Sequence, residues 1–221
     1  MALNLVFLGP PGAGKGTQAK QFAAARGIPH VSTGDMLREA VAAGTELGLK
    51  ARAVMESGRL VGDDIIIGVV RERLARPDAQ LGFVLDGFPR TVPQAEALDG
   101  VVADRDPLVI VDIAVPDEEL VRRLTSRRVC GQCGANAPVP AVGEPGPQRC
   151  GRCGGPLTQR ADDREEVIRE RLRVYGRDTL PLIEYYSGRP TFRRVDGAQA
   201  PERVASDLAA AMASAAAAAV R

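Results

Sequence analysis

Apolar residues gather in a few short runs separated by longer stretches of helical period. LNLVFL (3–8), GFVLDG (82–87) and PLVIVDIAV (107–115) are apolar at successive rather than alternate positions. That pattern predicts strands buried on both faces, as in a parallel sheet. The run at 107–115 is the richest in β-branched residues, and TFRRVDG (191–197) reads as a last strand. A period near 3.6 predicts helices over 15–25, 35–43, 46–57, 63–74 and 117–128. Asp63 or Asp64 is expected to cap the fourth of these. A long helix is expected over 163–186, bent near Pro181, with a closing helix from 201 onward. Strands alternating with helices predict an α/β fold with a central parallel sheet and right-handed connections. Two segments fall outside that sheet: a helical excursion over 32–61, and 130–156, which has no period and is bounded by cysteines.

Composition narrows the picture. At 221 residues, 45% hydrophobic and 26% charged, the chain is one globular domain with insertions. A net charge of +1 argues against a protein built to grip nucleic acid. Arginines nevertheless crowd between Arg122 and Arg173, so an anionic partner is expected to be small and bound there. The first apolar run leads into a glycine-rich stretch, not a cleavage site, so no leader is expected. No run reaches the roughly 18 apolar residues of a membrane span. A cytoplasmic location and no membrane association are expected. In a reducing compartment, four cysteines suggest a metal before a disulfide.

The glycine-rich stretch is GPPGAGKGT (9–17), between a predicted strand and a predicted helix. Its glycines permit positive φ and close backbone approach, so backbone N–H groups can form an anion nest at the helix start. Lys15 adds a point charge for terminal phosphates. A plain strand-to-helix turn needs one or two glycines, not four with a lysine. Gly16, however, stands where the usual phosphate-loop pattern has a metal-ligating Ser or Thr. Thr17, one place later, can reach a phosphate. Mg²⁺ is therefore expected to ride mainly on phosphate oxygens and water, steered by a carboxylate at a strand end, with Asp86 the candidate. That arrangement points to a transferase rather than a water-activating NTPase.

The cysteines form C-x2-C-x16-C-x2-C, with Cys130 and Cys133 in CGQC and Cys150 and Cys153 in CGRC. This spacing predicts a structural zinc site of four thiolates. Apart from cysteine and proline, the apolar side chains between them are only Ala135, Ala137, Val139, Ala141 and Val142. These cannot make a core, so a metal is needed. A four-thiolate site has no open position, which excludes a catalytic role for the metal.

STGDMLR (32–38), GRLV (58–61), LDGFPRTVPQ (85–94), RLTSRR (123–128) and QRADDREEVIRERL (159–172) complete the set. Together with the glycine loop, in this order and spacing, they closely resemble the adenylate kinase family, in its zinc-bearing bacterial form. The resemblance runs nearly end to end. It implies a phosphate-loop kinase core over 1–31, 62–126 and 164–221, an AMP-binding insertion over 32–61 and a zinc-containing lid over 127–163. The implied reaction is reversible Mg²⁺-dependent transfer between ATP and AMP to give two ADP, with no nucleic acid partner and a monomeric protein.

The resemblance also implies roles for residues. Gly12, Ala13, Gly14, Lys15, Gly16 and Thr17 would bind the ATP phosphates, with Arg123 against the ATP base and main chain near Gln199 touching it. Thr33, Arg38, Arg59, Leu60, Val61, Gly87, Phe88, Pro89, Arg90 and Gln94 would form the AMP site. Arg38 and Arg90 would hold the AMP phosphate; Thr33 and Gln94 would face its adenine. Arg127, Arg160 and Arg171 would surround the transferring phosphoryl group, and Asp162 and Asp163 would tie the lid to the core. Lys15, Asp86, Arg90, Arg127, Arg160 and Arg171 would carry catalysis, which needs positioning and charge neutralisation rather than a general base. His30 is then structural, and Arg122, Arg169 and Arg173 belong to solvated helix faces. The stretch 134–149 lacks the aromatic usual in the family, which argues against a nucleotide contact from it but leaves the zinc ligands untouched. Alternative readings are a kinase of UMP, CMP or GMP, and a phosphate-loop NTPase carrying a nucleic-acid-binding zinc ribbon.

Overall fold

The computed structural model describes residues 2–138 and 146–218. Val139, Ala141 and Val142 of the aromatic-free stretch lie outside the described residues, as does the end of the alanine-rich tail. The chain begins with β1 (Leu3–Leu8), α1 (Lys15–Arg26) and β2 (His30–Ser32). A helical pair, α2 (Thr33–Ala42) and α3 (Glu46–Glu56), precedes α4 (Asp63–Ala75). Then come β3 (Gly82–Asp86), α5 (Val92–Val101), β4 (Leu108–Ala114) and α6 (Asp117–Ser126). The two-residue strands β5 (Val129–Cys130) and β6 (Leu157–Thr158) pair antiparallel. The chain closes with α7 (Glu165–Val174), α8 (Pro181–Ser187), β7 (Phe192–Asp196) and α9 (Pro201–Ala218).

Five parallel strands form the main sheet in the order β2-β3-β1-β4-β7. The chain leaves β1 to one side for β2 and β3, and to the other for β4 and β7. The loop after β1 therefore stands at the crevice where strand order reverses, the usual ligand position in such sheets. Both faces are buried, as the apolar runs predict. Val6, Leu8, Phe83, Leu85 and Ile110 pack with Val70, Leu74, Leu98, Leu182 and Tyr186 on one side. Leu5, Phe7, Val84, Val109, Val111 and Ile113 pack with Ala19, Ala23, Leu120, Val204, Leu208 and Met212 on the other. Period-two alternation along each strand sorts the two sets.

Four features differ from the pattern-based expectation. HVS at 30–32 is too short to register as a strand, yet β2 pairs with β3 through His30, Val31 and Ser32. The stretch from Val92 is a helix, capped by Thr91, whose side chain accepts from the Gln94 N–H. Gly62, not Asp63 or Asp64, is the N-cap of α4. The long helix over 163–186 is divided by a π-type turn at Tyr175–Thr179 before Pro181. Pro181 has no N–H to close onto the preceding turn, and its ring crowds the carbonyl four residues back. The wider turn, in which the Leu180 N–H donates to the Tyr175 carbonyl at 2.8 Å, relieves that crowding.

Candidate active site

The loop after β1 takes positive φ at Gly9, Gly12 and Gly14 and enters α1 at Lys15. The Thr17 N–H donates to the Gly14 carbonyl at 3.0 Å, while the N–H groups before it at the start of α1 stand ready for an anion. Lys15 Nζ donates to the carbonyls of Gly9 at 2.7 Å and Pro10 at 2.9 Å, which folds the side chain back over the loop. Across from it, Asp86 ends β3. A Cβ on Gly16 would fall 3.0 Å from Asp86 Oδ2. The carboxylate thus occupies the space that a Ser or Thr side chain would need, which accounts for glycine after the lysine. β2 brings His30 Nε2 to 3.6 Å from the same oxygen.

A second group surrounds the turn after β3. Thr33 Oγ1 donates to the Gly87 carbonyl at 2.8 Å, and Arg90 Nε donates to the same oxygen at 2.8 Å. Gly87 has φ +80°, and a Cβ there would meet Arg90 Nη2 at 2.9 Å and Thr33 Oγ1 at 3.0 Å, so glycine keeps both side chains in place. Gln94 is 2% exposed. Its Oε1 accepts from the Arg90 N–H at 2.8 Å and its Nε2 donates to Asp63 Oδ1 at 2.7 Å. Arg38 donates to Asp35, which Lys20 also meets at 3.2 Å. Arg59 is exposed and donates through Nε to Ser57 Oγ at 2.9 Å, with Leu60 and Val61 following it along the wall.

A third group lies at the lid root. Arg127 Nε donates to the fully buried Asp163 at 2.7 Å, and Arg171 Nη1 reaches Asp163 at 3.1 Å and Asp162 at 3.0 Å. Arg160 Nη2 donates to Asn136 Oδ1 at 3.3 Å. Arg123 Nε donates to Glu119 at 2.7 Å. The Gln199 amide is tied to Asp207 at 3.0 Å and to the Asp196 carbonyl at 3.1 Å.

One cavity of about 1080 Å³ joins the three groups. Gly12, Ala13, Gly14, Lys15, Gly16, Thr17, Asp86, Arg123, Arg127 and Gln199 line it, as do Thr33, Arg38, Arg59, Leu60, Val61, Gly87, Pro89, Arg90, Gln94, Arg160 and Arg171. Phe88 does not. Its side chain is 1% exposed and packs in the core with Val6 and Leu85, because an aromatic ring on a turn above the sheet gains more from burial than from the polar wall. Beyond the cavity, the Sγ atoms of Cys130, Cys133, Cys150 and Cys153 all lie within 4.8 Å of one another. The pairs 130–153 and 133–150 are 3.5 and 3.6 Å apart. Tetrahedral thiolates around zinc at about 2.3 Å stand about 3.8 Å apart, so the donor set fits that ion.

The profile described as Adenylate kinase matches residues 7–190. The chain belongs to the adenylate kinase family. It is 51% identical to an adenylate kinase of Archaeoglobus fulgidus over 94% of this chain and 97% of that one. It is 52% identical to an adenylate kinase of Moorella thermoacetica over 90% and 92%, and 50% identical to one of Geobacter sp. (strain M21) over 95% and 99%. The chain is accordingly a nucleoside monophosphate kinase.

In this adenylate kinase framework the electrostatics describe a site prepared for anions. Burial, which outweighs the help of Asp86, lowers the Lys15 pKa to about 8, with Arg90, Arg171 and Arg127 adding repulsion. Burial, followed by the charge of Arg171, lowers Arg90 to about 10. Arg160 is also lowered to about 10 by burial and by Arg127 and Arg38. Burial pushes Asp86 up, but the His30 imidazole and Lys15 ammonium outweigh it and hold the carboxyl below its ordinary value. Clustered cations with depressed pKa values gain when phosphates enter.

Sequence reasoning passed over several wall residues. Arg122, read as a solvated helix residue, lines the cavity and pairs with Glu119 at 2.7 Å, whereas Arg169 and Arg173 do sit in exposed i,i+4 and i,i+3 pairs. Glu119 is held at about 2, since its bonds to Arg122 and Arg123 outweigh burial. Asn136, Ala137 and Pro138 also line the cavity, so the aromatic-free stretch does reach it. Short polar and small side chains at the lid strand carry no pattern that marks them. Lys20 and Asp35 are further wall residues. Their only sequence signal was adjacency to the glycine loop and to Arg38.

Proposed function

We propose that the protein transfers the γ-phosphoryl group of ATP to AMP and back, giving two ADP. The reading rests on one continuous cavity. A glycine loop with Lys15 stands at one end, Thr33, Arg38 and Gln94 at the other, and Arg90, Arg127, Arg160 and Arg171 between. Two polyanionic nucleotides repel each other, and four guanidinium groups at the junction neutralise that repulsion in a site that can exclude water. Planar guanidinium forks bind phosphoryl oxygens in pairs at fixed angles, which positions donor and acceptor in line.

In this reading the loop amides and Lys15 hold the donor phosphates, Arg123 lies against the donor base, and main chain at Gln199 and at Asn136–Pro138 flanks it. Arg38 and Arg90 hold the acceptor phosphate. Thr33 and Gln94 face the acceptor base, with residues 59–61 along its side. Asp86, kept ionised, would hold Mg²⁺ through water; the ion, when bound, offsets charge on the donor phosphates. The four cysteines would hold zinc, which shapes the lid over 127–163. Arg127 and Arg171, both bonded to Asp163, link lid motion to the junction. Closing the lid and the insertion over 32–61 would exclude water and suppress hydrolysis. Every side chain in this scheme comes from one chain, so a monomer suffices, and unpaired thiols fit a cytoplasmic setting. Among the described residues no helix is long and apolar enough to cross a membrane.

The test is a coupled assay with MgATP and each nucleoside monophosphate in turn. AMP is expected to exceed GMP, UMP and CMP in kcat/KM by at least about 100-fold, because a site built to bond a base edge leaves buried groups unpaired with the wrong one. A larger value for UMP or GMP would overturn the assignment of Gln94 to adenine.

The pH dependence follows from Lys15. Its free-protein pKa near 8 means that it is charged below that value and neutral above it. Phosphates bind the charged form. Thus kcat/KM for MgATP should fall as pH rises through about 8, while kcat holds to higher pH because bound phosphate raises the lysine pKa. A kcat/KM that stays flat to about pH 9.5 would count against Lys15 as a phosphate ligand.

A further inference from the structure

We propose that Asp63 sets the base selectivity of the acceptor site by fixing which way round the Gln94 amide stands. The inference rests on the reading above that Gln94 faces the acceptor base. Asp63 is itself not on the cavity wall; Gln94 is, and Asp63 stands behind it. It is a positioning residue, acting only through the amide.

The Gln94 side chain has two neighbours of opposite polarity. Its Oε1 accepts from the Arg90 backbone N–H at 2.8 Å, and its Nε2 donates to Asp63 Oδ1 at 2.7 Å. The other carboxylate oxygen of Asp63 accepts from Thr91 Oγ1 at 3.0 Å, which holds the carboxylate in place. Thr91 in turn caps the helix that carries Gln94, its hydroxyl accepting from the Gln94 N–H at 3.3 Å. The four groups form a closed loop. An amide has two hydrogens on nitrogen and two lone pairs on oxygen. One of each is used behind the wall, so one hydrogen and one lone pair remain for a ligand.

That remaining pair matches a 6-aminopurine, whose N1 accepts and whose exocyclic N6 donates. A 6-oxopurine reverses both: N1 carries hydrogen and O6 accepts. To pair with it, the Gln94 amide would have to turn over. Its NH₂ would then face the Arg90 N–H, donor against donor, and its oxygen would face Asp63, acceptor against acceptor. Gln94 is 2% exposed, so unpaired groups left on its amide are costly. The backbone N–H of Arg90 cannot be removed without replacing Arg90 itself by proline, whereas the carboxylate can be removed at Asp63 alone.

The experiment compares kcat/KM for AMP and for inosine 5′-monophosphate, which differ only in that base edge, in the starting protein and in Asp63→Ala and Asp63→Asn. Thermal unfolding of each variant accompanies the kinetics. D63A should lower the AMP-to-IMP ratio by about tenfold or more, since one of the two locks on the amide is gone. D63N keeps the size of the side chain but has one accepting oxygen and one donating NH₂, and the Thr91 hydroxyl, which donates to Asp63, competes for that oxygen, so D63N should lower the ratio as well. Should D63A not fold, D63S carries the same expectation, because a hydroxyl both donates and accepts and so opposes neither orientation. A folded D63A or D63S that loses activity equally on both nucleotides, with the ratio unchanged, overturns the proposal, as that is the signature of a purely structural carboxylate. A D63N ratio equal to that of the starting protein also overturns it, because only a carboxylate accepts from Thr91 and Gln94 at once. If the unmodified protein does not prefer AMP to IMP, the acceptor-site reading fails first and this inference with it.

Discussion

Replacing Lys15 with methionine is expected to lower kcat/KM for MgATP about 10³-fold or more while leaving the protein folded. The magnitude is that of removing a preorganised charge from a transferring group in a water-excluded site. Methionine keeps the length of the aliphatic stem, so packing against the loop is retained. What disappears is the ammonium that lies over the Gly9 and Pro10 carbonyls in the unliganded protein. That ammonium is poorly solvated and repelled by Arg90, Arg171 and Arg127, as its pKa of about 8 records. Its loss costs two hydrogen bonds and relieves that repulsion, so the unfolding temperature should move by only a few degrees. Steady-state and single-turnover kinetics alongside thermal unfolding decide the matter. Retention of more than about a tenth of the activity would remove Lys15 from the proposed transfer, and collapse of the fold would make its role structural.

Removing metal from the cysteine cluster is expected to disorder the lid and cut turnover by tenfold or more. β5 and β6 pair through only two residues each, Val129 with Thr158 and Cys130 with Leu157. A ribbon of that size is not stable by itself in water. A metal held by the four thiolates would supply the missing cohesion; structural zinc contributes on the order of 10 kcal/mol in comparable small folds. Most of that energy is local, because the core has its own two hydrophobic clusters. The signature should therefore be lost amide protection over residues 129–138 and 149–158, a raised KM for ATP and a small change in core stability. Metal analysis should find one zinc per chain, and Cys130→Ser should reproduce the chelated state. Protein prepared without metal that keeps both lid protection and full activity would end the structural role given to zinc here.

Both predictions begin from residues that were legible as a string. Four glycines around Lys15 need no tertiary information to be read as an anion nest, because neighbouring backbone groups make it. The paired CxxC knuckles are likewise local, and the structure gathers their sulfurs within 4.8 Å. Arg38, Arg90, Arg127, Arg160 and Arg171 were nominated through motif order and all reach one cavity. Phe88 shows the limit of that nomination: its motif neighbours Gly87 and Pro89 reach the wall, but burial drew Phe88 into the core. Asn136 and Ala137 show the opposite failure. Nothing in a run of small residues signals a cavity wall, and only the fold of the lid brings them there.

Buried apolar runs, helical period, the glycine loop and the cysteine spacing were determined by the sequence by itself, since each is a regularity among neighbours along the chain. The tertiary structure alone decided which distant groups share a space: Asp86 against Gly16 and His30, Asp163 between Arg127 and Arg171, and Asp63 behind Gln94. Such pairings depend on where the sheet order and the helix ends leave two side chains a few ångströms apart. Short-range Coulomb and hydrogen-bond forces act on that separation, whatever the distance along the chain.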